Sequence, residues 1–197
     1  MYSRKTEKQR GRLETREYYY TEEIEWFIKR NKEWKEVKGI GASILTTEEK
    51  IYLEEMYIKY KVKSKSKTEL VHKMVVPPTS FILGQASLES GWGNSKLAKE
   101  GNNLFAVRSS LRDPGKTVNL GPNQYYKRYE SLEESLMDYV MTLSRHSSYS
   151  NLRKAINNGE ETIVLIKHLG NYSEVKKLYE QRLTQIITKN NLVKYDD

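Results

Sequence analysis

The sequence contains no cysteine. Disulfides and thiol chemistry are therefore excluded, and the redox compartment is left open. It has three histidines, His72, His146 and His168, set far apart. No His/Asp/Glu cluster has metal-ligand spacing, so no zinc site is expected, and no cofactor. No apolar run approaches the roughly 20 residues that a membrane-spanning helix needs. The opening stretch, MYSRKTEKQRGRLETREYYY, is charged and lacks an apolar centre, so no export signal is read in the chain. That leaves a cytoplasmic protein or a processed one. Phenylalanine is scarce, at three against fifteen tyrosines. Some tyrosines must then serve as core, and others suit a groove for sugars or bases.

What is present bounds the class. With 197 residues, one domain with a substantial core is expected. The net charge of +8 favours a polyanionic neighbour: nucleic acid, an anionic membrane face, or an acidic polymer such as a bacterial cell wall. The sign alone does not choose among them. Nucleic-acid binding finds only Lys, Arg and Tyr in the N-terminal arm, with no recognition motif behind it.

Punctuation divides the chain. Residues 1–20 read as a disordered basic arm. A helical pattern starts at Thr21, with Ile24, Phe27, Ile28 and Trp34 on roughly one face. Residues 38–43 form a break. Thr47 reads as the N-cap of a helix carrying Ile51, Leu53, Met56, Tyr57 and Tyr60. Residues 61–68 are a charged linker, and a short helix then ends before Pro77-Pro78. The next helix carries Phe81, Ile82, Gln85, Ala86 and Leu88, with Glu89 in its last turn. Gly91 and Gly93 stop it. Asn94 or Ser95 caps a short helix closed by Gly101.

Residues 106–130 read as a small β-hairpin or irregular lobe. Ser131 to Glu134 form a capping box for a helix with Leu132, Leu136, Tyr139, Val140 and Leu143 inward. Further helices are expected at 150–157, 160–169 and 174–189. The last is capped by Ser173, with Val175, Leu178, Leu183, Ile186 and Ile187 as its apolar face. There is no internal repeat. The sum is an α+β chain, mostly helical, with one small β lobe.

Glu89 stands out. It sits at a helix C-terminus, where the backbone dipole is negative, among small and apolar residues. Both conditions disfavour its carboxylate and raise its pKa. A carboxylic acid still protonated near neutral pH is what a glycosidase needs to protonate a leaving oxygen. A helix-end glutamate with no task fits the same residues. Trp92 offers a flat face for a sugar ring and fits a core position equally.

The surrounding residues go further. QASLESGWGNSKLAKEGNNLF, from Gln85 to Phe105, closely resembles the signature of bacterial N-acetylglucosaminidase domains of glycoside hydrolase family 73. That family has an A-x-x-E-S-G-W-G block, then a short helix and N-N-L-F. Residues 129–143, 148–155 and, loosely, 169–183 are similar to its later segments. The Pro-Pro before the helix and HSSYSNLRKA fit the Bax-like subgroup of envelope proteins. The resemblance covers about 68–190.

It implies a lysozyme-like fold and cleavage of the β-1,4 bond after N-acetylglucosamine in peptidoglycan, in the bacterial envelope. Glu89 becomes the general acid, and Tyr172 matches a tyrosine near the scissile sugar. Trp92, Ser90, Asn103 and Tyr126 are the substrate-binding set, Ser90 and Asn103 mainly by holding the groove. The expected order is arm 1–20, helical extension 21–67, glucosaminidase domain 68–190 and tail 191–197. Many members have a second acid in the β lobe, and here only Asp113 is available. It stands in an RDPG turn that explains it without catalysis. If it takes no part, the substrate's own N-acetyl group, or a water held by Tyr172, is left to complete the reaction. Lytic transglycosylase chemistry and a non-catalytic wall-binding module are the competing readings.

Overall fold

The computed structural model describes residues 37–39, 45–110, 112–113, 115–169 and 176–196. The basic arm, the helix from Thr21, Tyr172, Ser173 and Val175 lie outside the described residues. Lys38 and Gly39, which open the expected break, are helical, and residues 40–43 lie outside.

Helix α1 (Thr47–Lys59) is capped by Thr46 and not by Thr47. The Thr46 hydroxyl accepts from the Glu49 amide at 3.2 Å, and the Glu49 carboxylate accepts from the Thr46 amide at 2.8 Å. Of two adjacent threonines, only Thr46 stands three residues before a glutamate, which closes the reciprocal box. Leu53 and Met56 turn inward, whereas Ile51, expected on that face, is 57% exposed. Helix α2 (Lys67–Lys73) is capped by Ser66 and ends before the prolines.

Helix α3 (Thr79–Ser90) runs through the centre of the main core and is buried on nearly every side. Its small residues permit this. A Cβ at Gly84 would lie 2.7 Å from Ile187 Cγ1 and 2.9 Å from Leu183 Cδ1, so only glycine lets helix α8 (Lys176–Lys189) approach so closely. The N-terminus of α3 has no side-chain cap from Pro78. One of its orphan donors, the Ser80 amide, is met from far along the chain. Asp196 accepts from the Ser80 amide at 2.7 Å and from the hydroxyls of Ser80 and Thr162 at 2.6 and 2.9 Å.

Helix α4 (Lys96–Gly101) is capped by Ser95, one of the two expected residues. It runs through Gly101 and closes on Asn102 in the left-handed conformation. Strands β1 (Thr117–Asn119) and β2 (Tyr125–Lys127) pair antiparallel, Val118 facing Tyr126. Arg108 bridges to Tyr126 on the other edge of β2. Helix α5 (Leu132–Arg145) is capped by Ser131, but the Glu134 carboxylate bonds the Glu130 amide and not that of Ser131. Helix α6 (Ser150–Asn157) matches its expected span.

The single helix expected at 160–169 is instead an α turn, α7 (Thr162–Leu165), running into a 3₁₀ turn (Ile166–Leu169). Thr162, Ile163, Val164 and Ile166 are all β-branched and poor at sustaining an α-helix. In α8, Leu183 and Ile187 are buried, while Leu178 is 42% exposed. Five residues before Leu183, Leu178 lies about 140° away around the helix. Among the described residues no helix is long and apolar enough to cross a membrane.

Two apolar clusters meet at α5. Leu136, Tyr139, Val140 and Leu143 join Phe81, Ile82, Leu152 and Leu183 in the main core. Met141, on another side of α5, joins Val37, Leu53, Met56, Tyr60, Leu70 and Met74 in a second cluster. The buried Arg153 supports the far end of α5, donating to the carbonyls of Leu143 and His146 at 2.7 and 2.8 Å.

Candidate active site

The last turn of α3 places Gln85 and Glu89 four residues apart, on one face of the helix. The helix stops at Gly91, whose φ of 57° is the left-handed value that ends helices. Trp92 and Gly93 continue in that region, at φ 59° and 73°. For a tryptophan this conformation costs about 1–3 kcal/mol and persists only where neighbours enforce it. Ser90 is one enforcer. Its hydroxyl donates to the Ala86 carbonyl at 2.5 Å and accepts from the Gly93 amide at 2.8 Å. The Trp92 amide also donates to the Ser87 carbonyl at 2.9 Å. The half-buried Trp92 is thus held in this left-handed turn, three residues after Glu89.

Glu89 itself is half-buried. Burial pushes its carboxyl above the usual carboxylate range, and a hydrogen bond from the Tyr179 hydroxyl partly opposes the rise. Behind the carboxyl lies a polar chain inside an apolar core. The fully buried Gln85 donates from Nε2 to the Tyr179 oxygen at 2.8 Å. Its Oε1 accepts from the Tyr139 hydroxyl. The Tyr139 ring stacks on Phe105, centroids 3.9 Å apart and 5° from parallel. Burial, then the Glu89 carboxyl, push the Tyr179 phenol far upward, so it stays protonated and able to donate.

Asn103 is buried at the base of the β lobe. It accepts from the Val107 amide at 2.9 Å and donates to the carbonyls of Val107 and Lys127 at 3.0 and 2.9 Å. Its side chain is engaged in tying residues 103–107 to β2, where the half-buried Tyr126 sits under the Arg108 guanidinium. The lobe is also latched to α5: Asp138 takes Lys127 Nζ at 2.7 Å and the Tyr129 hydroxyl at 2.6 Å. Asp113 is exposed, and its carboxylate accepts from the Gly115 amide at 2.8 Å as turn chemistry requires.

Glu89, Ser90 and Trp92 thus share one helix end, Asn103 and Tyr126 share the lobe, and Asp113 occupies its own turn. No group of three or more His, Cys, Asp or Glu among the described residues is placed to hold a metal ion. A cavity of about 640 Å³ opens at the other end of α3, lined among others by Pro77, Thr162, Val193 and Asp196. Glu89 lies ten residues of helix, about 15 Å, from Thr79 at that end.

The sequence profile of the glucosaminidase family, described as mannosyl-glycoprotein endo-beta-N-acetylglucosaminidase, matches residues 64–192. The chain belongs to this family. Among similar proteins, protein bax of Escherichia coli is 31% identical over 72% of this chain and 56% of its own length. Peptidoglycan hydrolase FlgJ of Salmonella typhimurium is 28% identical over 56% of the chain and 39% of its own. Exo-glucosaminidase LytG of Bacillus subtilis is 28% identical over 60% of the chain and 46% of its own. The chain thus spans about half the length, or less, of these relatives. The catalytic domain of the autolysin Auto from Listeria monocytogenes superposes with a TM-score of 0.49 at 24% identity, over 79% of this chain and 92% of that one.

Tyr179 and Gln85 are absent from the residues nominated from sequence. Gln85 stood inside the signature and one turn before Glu89, which was signal enough. Tyr179 lies ninety residues further on, and nothing local ties it to Glu89.

Proposed function

We propose that this glucosaminidase-family chain is a peptidoglycan hydrolase, an endo-β-N-acetylglucosaminidase with Glu89 as its general acid. The observation that carries this is the Glu89 carboxyl: half-buried, shifted toward its protonated form, and followed three residues later by a tryptophan held in a left-handed turn. A proton passes from Glu89 to the glycosidic oxygen as the bond from the anomeric carbon to that oxygen breaks. The electron pair leaves on the oxygen; water adds its hydroxyl to the anomeric carbon, and its remaining proton restores the acid form of Glu89. Trp92 would stack on a sugar ring, and Tyr126 would line the lobe side of the groove. Tyr172 would lie near the scissile sugar. The net charge of +8 suits an acidic wall polymer, and the names of the FlgJ relatives point the same way. The working location is then the bacterial envelope.

The same reading makes 68–190 the glucosaminidase domain and 21–67 a helical layer on it. The second apolar cluster supports the layer, since it joins residues before 68 to Met141 of α5.

Mass spectrometry of digested peptidoglycan tests the reaction. Hydrolysis after N-acetylglucosamine leaves a reducing N-acetylglucosamine end, whereas transglycosylation leaves an anhydro-muramyl end. Internal cleavage gives a spread of fragment lengths, and attack from chain ends gives a single small product. No fragments at all would support a non-catalytic wall module.

The turn bonds of Asp113 favour a one-carboxylate site. Asp113→Asn is expected to keep turnover within about twofold of the native protein, since an amide oxygen serves the turn equally. A loss beyond about tenfold, with unchanged melting, would restore a two-carboxylate scheme.

A further inference from the structure

We propose that the loop between α1 and α2, together with the outer side of α1, docks this protein on an anionic lipid surface. The inference is independent of the assignment of Glu89. It starts from the stretch expected to be a charged linker. Lys59, Lys61, Lys63, Lys65 and Lys67 alternate there with Tyr60, Val62, Ser64 and Ser66, and no acid interrupts them. The structure makes this a built loop. Val62 is 3% exposed and belongs to the second apolar cluster. Its amide donates to the Tyr57 carbonyl at 2.8 Å, and the Lys61 amide donates to the Ile58 carbonyl at 3.1 Å. Lys73 Nζ donates to the Lys61 carbonyl at 2.9 Å. Lys61 and Lys65 both stand in the left-handed region, at φ 53° and 50°, which a lysine keeps only where its neighbours enforce it.

The loop folds back on one side of α1. Lys65 Nζ reaches both carboxylate oxygens of Glu54, at 2.8 and 3.0 Å. Ile51 and Ile58 stand three residues before and four residues after Glu54, so they share its side of the helix. These isoleucines are 57% and 76% exposed. At about 100° per residue they lie about 140–200° around the helix from the buried Leu53 and Met56. Helix α1 is thus apolar on two opposite sides, one packed in the second cluster and one turned outward. Lys65 cancels the charge of Glu54 where the lysine row meets the isoleucines. Among the described residues, the exposed Lys61 and Lys63 have no carboxylate partner. Glu55, between the isoleucines, opposes an anionic partner, and these two lysines outweigh it.

Ammonium groups beside exposed isoleucines match the chemistry of an acidic phospholipid surface. The lipid phosphates take the lysines, and Ile51 and Ile58 enter the boundary between headgroups and acyl chains. A soluble phosphate polymer would use the lysines alone and leave the isoleucines in water. Among the described residues no helix is long and apolar enough to cross a membrane, so this contact lies on the surface and does not span it.

The test is sedimentation of the full chain with vesicles at low and high salt. Vesicles containing phosphatidylglycerol should bind it at low salt and release it at high salt, and vesicles of phosphatidylcholine alone should not bind it. Lys61→Gln combined with Lys63→Gln should weaken binding by about 20–30-fold, at about fivefold per lysine. Ile58→Gln alone should weaken it by about 5–10-fold. Lys167→Gln combined with Lys189→Gln removes the same charge from exposed positions elsewhere and should change binding by less than about threefold. Equal binding to neutral vesicles, no binding to acidic ones at low salt, or equal losses from the two lysine pairs overturns the proposal. Polyphosphate that binds as tightly as the vesicles, with Ile58→Gln without effect, overturns it by assigning the lysines to a soluble polymer. A fall in melting midpoint of more than about 5 °C in Ile58→Gln would show that the chain itself covers this side of α1. A dimer that Ile58→Gln splits would place a second copy there. Either result overturns the lipid assignment.

Discussion

Glu89→Gln is expected to lower the rate of peptidoglycan digestion by about 10²–10⁴-fold while the protein remains folded. Glutamine matches glutamate in size, and its Oε1 still accepts from Tyr179, but it has no acidic proton to give. A zymogram with sacculi in the gel and an assay of soluble fragments measure the loss. A Glu89→Gln protein that clears sacculi at the native rate would remove Glu89 from the mechanism.

The same substitution should act on stability, with a definite sign. Burial raises the folded pKa of Glu89 above its unfolded value. Between those two values the folded state binds more protons than the unfolded one, so stability falls as pH rises. Above the folded value the penalty is complete. Glu89→Gln removes it, so at neutral pH the variant should melt about 2–4 °C higher than the native protein. That gain should vanish as pH falls below the unfolded carboxylate value of about 4, where both proteins are neutral at this position. A gain that grew toward acid pH would contradict the burial of the carboxyl.

Phe105→Ala should be the most damaging of the substitutions named here for the fold itself. The ring is 2% exposed and lies flat on Tyr139. Truncation empties a site closed by α5 and the loop after α4, at a cost of about 3–5 kcal/mol. For a chain of this size the melting midpoint should drop by about 10 °C. Circular dichroism at 222 nm follows it. The loss should also reach Glu89, because Tyr139 orients Gln85 and Gln85 orients Tyr179. Phe105→Leu, which retains most of the apolar volume, should recover most of the stability. A Phe105→Ala midpoint within about 2 °C of native would mean that the ring is not packed as described.

Elements with local punctuation were legible in the sequence. Gly91 ended α3, Ser131 began α5, and α6 kept its span. Errors arose where two local signals competed. Thr46 and Thr47 are both good caps, and only the spacing to Glu49 separates them. Leu178 is apolar, and its exposure becomes clear only once Leu183 and Ile187 fix which side of α8 faces Gly84. The resemblance located Glu89 but not its support. Gln85 and Tyr179 meet because α8 can lie directly on α3, a contact set by the missing side chain at Gly84 and not by any pattern near either residue.

The clasp at Asp196 bears on when helix α3 is completed during synthesis. Ser80 and Asp196 are 116 residues apart, yet Asp196 supplies the cap for the helix that carries Glu89. Tyr179 also arrives late. A nascent chain with α3 already outside the ribosome still lacks both the cap at one end of that helix and the phenol at the other. Helix α3 is therefore completed only once Asp196 has been made, and a fragment released before that point would carry Glu89 on a helix without its distant cap.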